Sequence, residues 1–279
     1  MQGKIIKVLS NDYTVSSNGN LYVCKSRGKF RNMAITPVVG DEVIFDESKN
    51  YIMEVLNRKN SLVRPPVSNI DLCVVVTSVK DPLFSSNLLD KLLAIIEFNN
   101  IKPVICFTKL DLLNDDELAN MNHVFNYYKS IGYEVYNNQE LDSFKSIFKD
   151  KIVVFTGQSG AGKSSLLNKL DCNLNLKTDE ISYALNRGKH TTRHVELIPL
   201  LSGYVADTPG FSAVDFNDMS NSDIRDNFIE FNDYKEGCRY RDCMHDLEDE
   251  CEIKRRVSSG DILSSRYENY IKFIHREKF

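Results

Sequence analysis

The chain has 279 residues, of which 42% are hydrophobic and 27% are charged, and this composition excludes a disordered or fibrous protein. No stretch approaches the roughly 20 consecutive apolar residues of a membrane span, so we expect a soluble cytoplasmic protein with no membrane partner. The formal net charge is −4, with +4 on residues 1–64, −3 on residues 65–210 and −5 on residues 211–279, which excludes a uniformly basic nucleic-acid binder.

The first 64 residues contain five short β runs separated by turn residues, and this count predicts a small barrel. We predict an OB-fold domain over residues 1–64, although five strands also fit an SH3-like barrel. Arg64-Pro65-Pro66 is predicted to be a linker, because proline stops regular structure. The predicted strands are Lys4–Leu9, Tyr13–Ser17, Asn20–Lys25, Asp41–Phe45 and Tyr51–Leu56.

A second pattern begins at Asp71, where nearly continuous apolar β runs alternate with segments of helical spacing. This alternation predicts an α/β domain with a parallel sheet over residues 65–215. The predicted strands are Leu72–Val76, Val104–Phe107, Tyr133–Tyr136, Ile152–Phe155, Val195–Leu200 and Tyr204–Ala206. The predicted helices are Leu88–Phe98, Asp115–Ser130 and Leu141–Phe148. The remainder, residues 216–279, is acidic and predicted to be mostly helical.

A phosphate-binding loop is predicted directly after the strand Ile152–Phe155 and before a helical segment. It satisfies the pattern Gly-x4-Gly-Lys-Ser, in which glycines let backbone N–H groups turn toward phosphate oxygens. In this pattern Lys163 would reach the β- and γ-phosphates and Ser164 would ligate Mg²⁺. The nucleotide-binding segment runs Gly157, Gln158, Ser159, Gly160, Ala161, Gly162, Lys163, Ser164 and Ser165.

A guanine-reading motif is predicted at the end of the strand Val104–Phe107. The residues Thr108, Lys109, Leu110 and Asp111 resemble the Asn-Lys-x-Asp motif of GTPases. Asp111 can accept two hydrogen bonds from guanine that adenine cannot supply, and the stem of Lys109 can pack over the base. Thr-x-x-Asp after a strand also occurs as a helix N-cap, but the phosphate-binding loop favours the nucleotide interpretation.

Two further segments complete the pattern of a GTPase. Asp207-Thr208-Pro209-Gly210 follows a strand, and there Asp207 would hold Mg²⁺ while the N–H of Gly210 meets the γ-phosphate. Between this segment and the phosphate-binding loop, either Thr191 or Thr192 would complete the Mg²⁺ shell. Because the guanine motif precedes the phosphate-binding loop, the domain is predicted to be circularly permuted.

Together these motifs resemble the ribosome small-subunit-dependent GTPase A (RsgA) family of circularly permuted bacterial GTPases. The resemblance implies a GTPase that binds GTP/GDP, assists late 30S assembly and is stimulated by the small ribosomal subunit, with 16S rRNA as a partner and the protein a monomer. It also assigns His190 as the residue that positions the attacking water, since Phe211 occupies the place of the usual glutamine. The alternative is that His190 is a solvent-exposed loop histidine with no catalytic role.

A metal site is predicted from three cysteines and one histidine within a short segment: Cys238, Cys243, His245 and Cys251. Three thiolates and one imidazole suit closed, tetrahedral Zn²⁺, so one structural zinc is expected. A disulfide would leave an odd cysteine and an idle histidine.

Two basic stretches could face rRNA, or could simply be solvated surface: Lys25, Arg27, Lys29 and Arg31 in the barrel, and Lys254, Arg255 and Arg256 near the metal site.

Two other interpretations of the function are weighed against that of an assembly GTPase. The first is a GTP-gated RNA-binding protein in which hydrolysis is incidental. The second is a phosphotransferase acting on a small substrate, against which the guanine motif argues. The loop Asn137–Glu140 does not match the remaining guanine-contacting motif of GTPases.

Overall fold

The N-terminal part of the protein is a closed five-stranded barrel. The computed structural model describes residues 1–28, 30, 35–62, 66–171, 196–206 and 215–276. The barrel strands are β1 (Gln2–Leu9), β2 (Asp12–Ser17), β3 (Asn20–Ser26), β4 (Glu42–Asp46) and β5 (Tyr51–Val55). They close in the order β1-β2-β3-β5-β4, with β3 and β5 parallel and the other neighbours antiparallel. This order is that of the predicted OB fold.

The barrel interior is filled by side chains that alternate along each strand. Ile5, Val15 and Val43 are fully buried there. The inward positions are apolar while most outward ones are polar, which is the period of two expected of a strand with one buried face. Closure leaves no open sheet edge on the barrel.

Two short strands, β6 (Ser61–Leu62) and β7 (Val67–Ser68), pair as a hairpin around the predicted linker, whose Arg64 and Pro65 lie outside the described residues. The buried carboxylate of Asp41 fastens this hairpin to the barrel. It accepts from the Arg58 guanidinium at 2.7 and 2.8 Å and from the Ser68 hydroxyl at 2.6 Å. Val39 also forms a β-bridge with Val67. The hairpin therefore packs directly against the barrel and connects it to the next part of the chain.

A six-stranded sheet forms the centre of the molecule. Its strands are β8 (Leu72–Ser78), β9 (Lys102–Thr108), β10 (Glu134–Asn137), β11 (Ile152–Thr156), β12 (Leu197–Leu200) and β13 (Gly203–Ala206). The order is β10-β9-β8-β11-β13-β12, and every neighbouring pair is parallel except β12 with β13. The carboxyl ends of the parallel strands all lie at the same end of the sheet, which we call its carboxyl edge, and ligands bind there in open α/β sheets.

Helices cover the sheet, whose strands are buried on both faces. Along β8, Val74 and Val76 face one apolar cluster while Cys73 and Val75 face another. The helices of this part are α1 (Ser86–Phe98), α2 (Asp115–Ser130), α3 (Leu141–Ser146) and α4 (Lys163–Leu170). Within the described ranges, no helix is both long enough and apolar enough to cross a bilayer.

The C-terminal part is mostly helical, as predicted. It contains α5 (Asn221–Asp226), α6 (Phe231–Tyr234), α7 (Glu252–Ser259) and α8 (Ser264–Ile274). Its apolar core includes Phe228, Tyr270 and Ile253, and it extends onto Ala94 and Ile95 of α1. One face of α1 therefore packs on the sheet and the opposite face belongs to the C-terminal core.

A buried ionic network joins α1 to the C-terminal helices. The guanidinium of Arg266 donates to Asp90 at 2.7 Å and to both carboxylate oxygens of Glu230, at 2.6 and 3.0 Å. Asp90 also accepts from the Tyr128 hydroxyl and the Asn269 amide. All three charged side chains are at most 1% exposed, and the Arg266 guanidinium lies 4.4 Å from the centroid of the Phe228 ring.

Candidate functional site

The phosphate-binding loop lies between β11 and α4, at the carboxyl edge of the sheet. Gly157 has φ of 130°, and a β-carbon there would lie 1.9 Å from the Val76 carbonyl oxygen, so no larger residue fits. Gly162 caps α4 with φ of 92°. These conformations let the loop turn sharply into the helix, whose first N–H groups are a site for anions.

The ammonium of Lys163 folds back over this loop. It donates to the carbonyl oxygens of Gly157 and Gln158, both at 2.8 Å. Partial burial lowers the pKa of Lys163, because the charged form loses hydration. A phosphate oxygen bound at the loop would give this ammonium an anionic partner in place of the two carbonyl oxygens. Ser164, in the first turn of α4, is buried beside it.

The predicted guanine motif is hydrogen-bonded to the phosphate-binding loop. Thr108, at the end of β9, donates its hydroxyl to the Ala161 carbonyl oxygen at 2.5 Å. The hydroxyl that replaces the usual asparagine amide thus still ties the two motifs together. Lys109 has a left-handed φ of 63°, and Asp111 lies exposed in the 3-10 turn Leu110–Leu112.

The loop after β10 adjoins the same motif. The Asn138 N–H donates to the Phe107 carbonyl at 3.0 Å, one residue before Thr108. Asn137 folds the loop by accepting from the N–H groups of Gln139 and Glu140. The Asn138 Oδ1 atom is buried and has no hydrogen-bond partner among the described residues. No guanine contact was predicted in this loop, because its residues do not match the GTPase motif. Its position after β10, the strand next to β9, nevertheless indicates that it lies beside the guanine motif.

The other predicted residues of the nucleotide site lie outside the described residues. These are His190, Thr191, Thr192, Asp207 and Gly210. The structure therefore brings together the phosphate-binding loop and the guanine motif. The roles of the five undescribed residues, in binding Mg²⁺ and the γ-phosphate and in positioning water, stay predictions from the sequence.

The predicted metal ligands converge on one point. One ligand atom from each of Cys238, Cys243, His245 and Cys251 lies within 4.8 Å of the others. The Nδ1 atom of His245 is 3.6 Å from the Cys238 sulfur and 3.4 Å from the Cys251 sulfur, and those sulfurs are 4.0 Å apart. Tetrahedral zinc, with bonds of about 2.3 Å to sulfur and 2.0 Å to nitrogen, would separate its ligands by about 3.5–3.8 Å. The donor set fits zinc.

The surroundings of this cluster hold its ligands in place. The N–H of Glu252, at the start of α7, lies 3.4 Å from the Cys238 sulfur and can donate to it. The Tyr267 hydroxyl donates to the His245 carbonyl at 2.7 Å. Burial raises the pKa of Cys243 to about 12, so this thiol stays protonated at neutral pH unless a cation binds.

Comparisons with known proteins agree with the motif order. The family model of the RsgA GTPase matches residues 55–217, and that of the RsgA N-terminal domain matches residues 2–52. A small ribosomal subunit biogenesis GTPase RsgA of Enterococcus faecalis is 48% identical over 280 residues, covering 98% of this chain and 94% of the relative. RsgA 1 of Listeria monocytogenes is 46% identical over 284 residues, covering 100% and 98%.

Two solved structures share the whole architecture. One is YloQ, described as a circularly permuted GTPase, with a TM-score of 0.84 and 37% identity, covering 100% of this chain and 96% of YloQ. The other is YjeQ from Thermotoga maritima, with a TM-score of 0.84 and 35% identity, covering 99% and 97%. The barrel, the permuted sheet and the C-terminal helices are thus found together in related proteins.

Proposed function

The chain belongs to the RsgA family and is a GTP-hydrolysing enzyme, and we propose that it acts in late assembly of the small ribosomal subunit. The observation that carries the assembly role is the 46–48% identity, over nearly the whole chain, to relatives named for small ribosomal subunit biogenesis. The hydrogen bond from Thr108 to Ala161 supports the GTPase part, because it joins the guanine motif, which comes first along the chain, to the phosphate-binding loop.

Nucleotide binding is proposed to use both motifs. The backbone N–H groups of Gly157–Ser165 would hold the phosphates, and Thr108–Asp111 would hold the base. Ser164 would ligate Mg²⁺, together with Asp207 and either Thr191 or Thr192. Mg²⁺ held there would supply positive charge that offsets the negative charge of the phosphates. Gly210 would donate its N–H to the γ-phosphate.

Hydrolysis is proposed to depend on positioning and charge. Lys163 exchanges its two carbonyl partners for phosphate oxygens and neutralises the charge that develops on the transferred group. His190 would orient the attacking water, because the phenyl ring of Phe211 cannot donate or accept a strong hydrogen bond. Intrinsic turnover is therefore slow, and a partner that places the His190 imidazole against the attacking water would accelerate it.

Base specificity can be tested at Asp111. In Asp111→Asn, an amide donor replaces one of the two acceptors that guanine needs, so GDP affinity is expected to fall about 10- to 100-fold. Affinity for xanthosine diphosphate should rise, because xanthine carries an acceptor where guanine carries an amino group. Competition against a fluorescent GDP measures both, and an unchanged preference for GDP over ADP would refute the base assignment.

One structural zinc is proposed at Cys238, Cys243, His245 and Cys251. Metal analysis of freshly reduced protein should find about one zinc per chain, and Cys243→Ser should lose most of it while retaining GDP affinity. Cys73→Ser is the matched control, because Cys73 is a buried cysteine outside the cluster and should keep the zinc. Protein without zinc, or a Cys243→Ser variant with full content, would contradict the assignment.

The proposed partners are the small ribosomal subunit and its 16S rRNA, bound by a monomer in the cytoplasm. Of the basic stretch predicted near the metal site, Arg256 contributes little to an rRNA-binding surface, because its charge is already paired with Glu252 and Asp261. Arg255 is more exposed, although it also pairs with Glu252 at 3.2 Å. In the barrel, Lys25 and Arg27 belong to the described residues, whereas Lys29 and Arg31 lie outside them. These side chains are candidates for rRNA phosphates.

The proposed function is tested by GTP hydrolysis with and without purified small subunits. We expect stimulation of about tenfold or more, by analogy with partners that complete a GTPase site. Large subunits serve as the control and should not stimulate. If small subunits bind in a nucleotide-dependent way without accelerating hydrolysis, the GTP-gated RNA-binding alternative is the better description.

A further inference from the structure

The segment Val79–Ser85, between β8 and α1, lies against the nucleotide site although no sequence motif marks it. We call it the 79–85 loop. The Lys109 ammonium donates to the Asp81 carbonyl oxygen. Pro82 borders the phosphate-binding loop, with its Cδ atom 3.6 Å from the position that a β-carbon on Gly160 would occupy. The loop thus contacts the two motifs that Thr108 connects.

Contacts on the protein side hold the 79–85 loop in this position. The Val79 N–H donates to the Thr108 carbonyl at 3.1 Å, and the Ser78 hydroxyl donates to the Lys80 carbonyl at 2.6 Å. The ring of Phe84 lies 5.8 Å from that of Phe107, centroid to centroid. The first and last parts of the loop are therefore both attached to β9.

Lys80 adds a longer-range attachment. Its ammonium lies 3.0 Å from each carboxylate oxygen of Glu117 in the first turn of α2. Glu117 also accepts from the Asn114 N–H and so belongs to the capping box of α2, the helix that follows the guanine motif. The Lys80–Glu117 pair therefore links the 79–85 loop to the start of α2, the helix that follows the guanine motif.

We propose that the 79–85 loop is a wall of the nucleotide site on its base side, and that Lys80 is a positioning residue. Through Glu117, Lys80 holds the Asp81 carbonyl where it accepts from Lys109. With its ammonium held by the Asp81 carbonyl, the methylene stem of Lys109 is fixed at both ends before a guanine ring binds. This inference rests on the proposed nucleotide site.

Preorganisation of this kind affects ligand affinity more than folding. The Lys80 and Glu117 side chains are 35% and 40% exposed, so their ion pair adds little to stability. Ordering Lys109 before binding instead removes part of the entropy cost of holding the base. Loss of the pair should therefore weaken nucleotide binding while the ligand-free protein melts at the same temperature.

The test measures dissociation of fluorescent GDP and of a fluorescent non-hydrolysable GTP analogue from the full chain. Lys80→Met is expected to accelerate both dissociation rates about three- to tenfold, equally, because the base is common to both ligands. Glu117→Gln keeps the cap and should show the same increase, and the double variant should be no worse than either single one. Lys80→Arg should restore binding.

A matched control lies on the same sheet. Lys102, which is 58% exposed, pairs with Glu134, which is 38% exposed, at the opposite end of the strands from the nucleotide site, so Lys102→Met should leave both rates unchanged. Wild-type rates in Lys80→Met overturn the inference, as does an increase that Lys102→Met shares or that accompanies a lower melting temperature. If wild-type protein binds no guanine nucleotide, the proposed function itself fails.

Discussion

Arg266→Met is expected to lower the free energy of unfolding by about 3–5 kcal/mol, because it leaves two buried carboxylates without their cation. Asp90 and Glu230 both lose their ionic partner, and neither can reach water in the folded state. Urea unfolding of the zinc-bound chain measures the loss. Arg239→Met, which breaks an exposed pair with Glu250, should change stability by no more than about 0.5 kcal/mol.

The pH dependence of this variant follows from Asp90. Burial raises the pKa of Asp90, and the Arg266 charge opposes that rise, so removing Arg266 raises the pKa further. A carboxyl with a raised folded-state pKa binds protons more tightly when folded, and its contribution to stability falls as pH increases. The deficit of Arg266→Met should therefore shrink between pH 8 and pH 5. A deficit below about 1 kcal/mol at neutral pH would show that the network is dispensable.

Lys163→Met is expected to reduce GTP turnover about 10²- to 10³-fold, since it removes the positive charge aimed at the transferring phosphoryl group. The methionine keeps most of the stem, so folding should be little changed. Single-turnover hydrolysis in the presence of small subunits measures the loss at saturating GTP.

Lys169→Met is the control for Lys163. Lys169 is exposed in the last turn of the same helix, α4, and is outside the phosphate-binding loop. Its replacement should leave turnover unchanged. Turnover of Lys163→Met within about threefold of wild type would remove Lys163 from the mechanism, because loss of a charge donor in a catalytic site ordinarily costs far more.

Local patterns predicted the elements that depend on neighbouring residues. The phosphate-binding loop was recognisable because its glycines and Lys163 lie within seven positions, and the metal cluster because its four ligands lie within 14 positions. The helix Asp115–Ser130 was predicted with its observed bounds, since its capping residue and its apolar spacing agree. The hairpin around residues 61–68 was missed because Pro65 and Pro66 indicated a break in regular structure.

Contacts between distant parts of the chain left no such pattern. Arg266 lies in a C-terminal helical segment and resembles an ordinary surface arginine in the sequence, yet its partners are 36 and 176 positions away. The 79–85 loop was overlooked for a related reason. Its contacts with Lys109 and Gly160 are made through backbone and proline atoms, which carry no sequence signature.

The distance along the chain between Asp90 and Arg266 also has a consequence for biosynthesis. A ribosome adding about 5–20 residues per second needs about 9–35 s to make the 176 positions that separate them. During that interval the last strands of the sheet are made, but α1 keeps the Asp90 carboxylate without its cation and the apolar side chains Ala94 and Ile95 without their C-terminal cover. The nascent chain therefore passes through a stage in which its GTPase part exposes a surface that only later translation will bury.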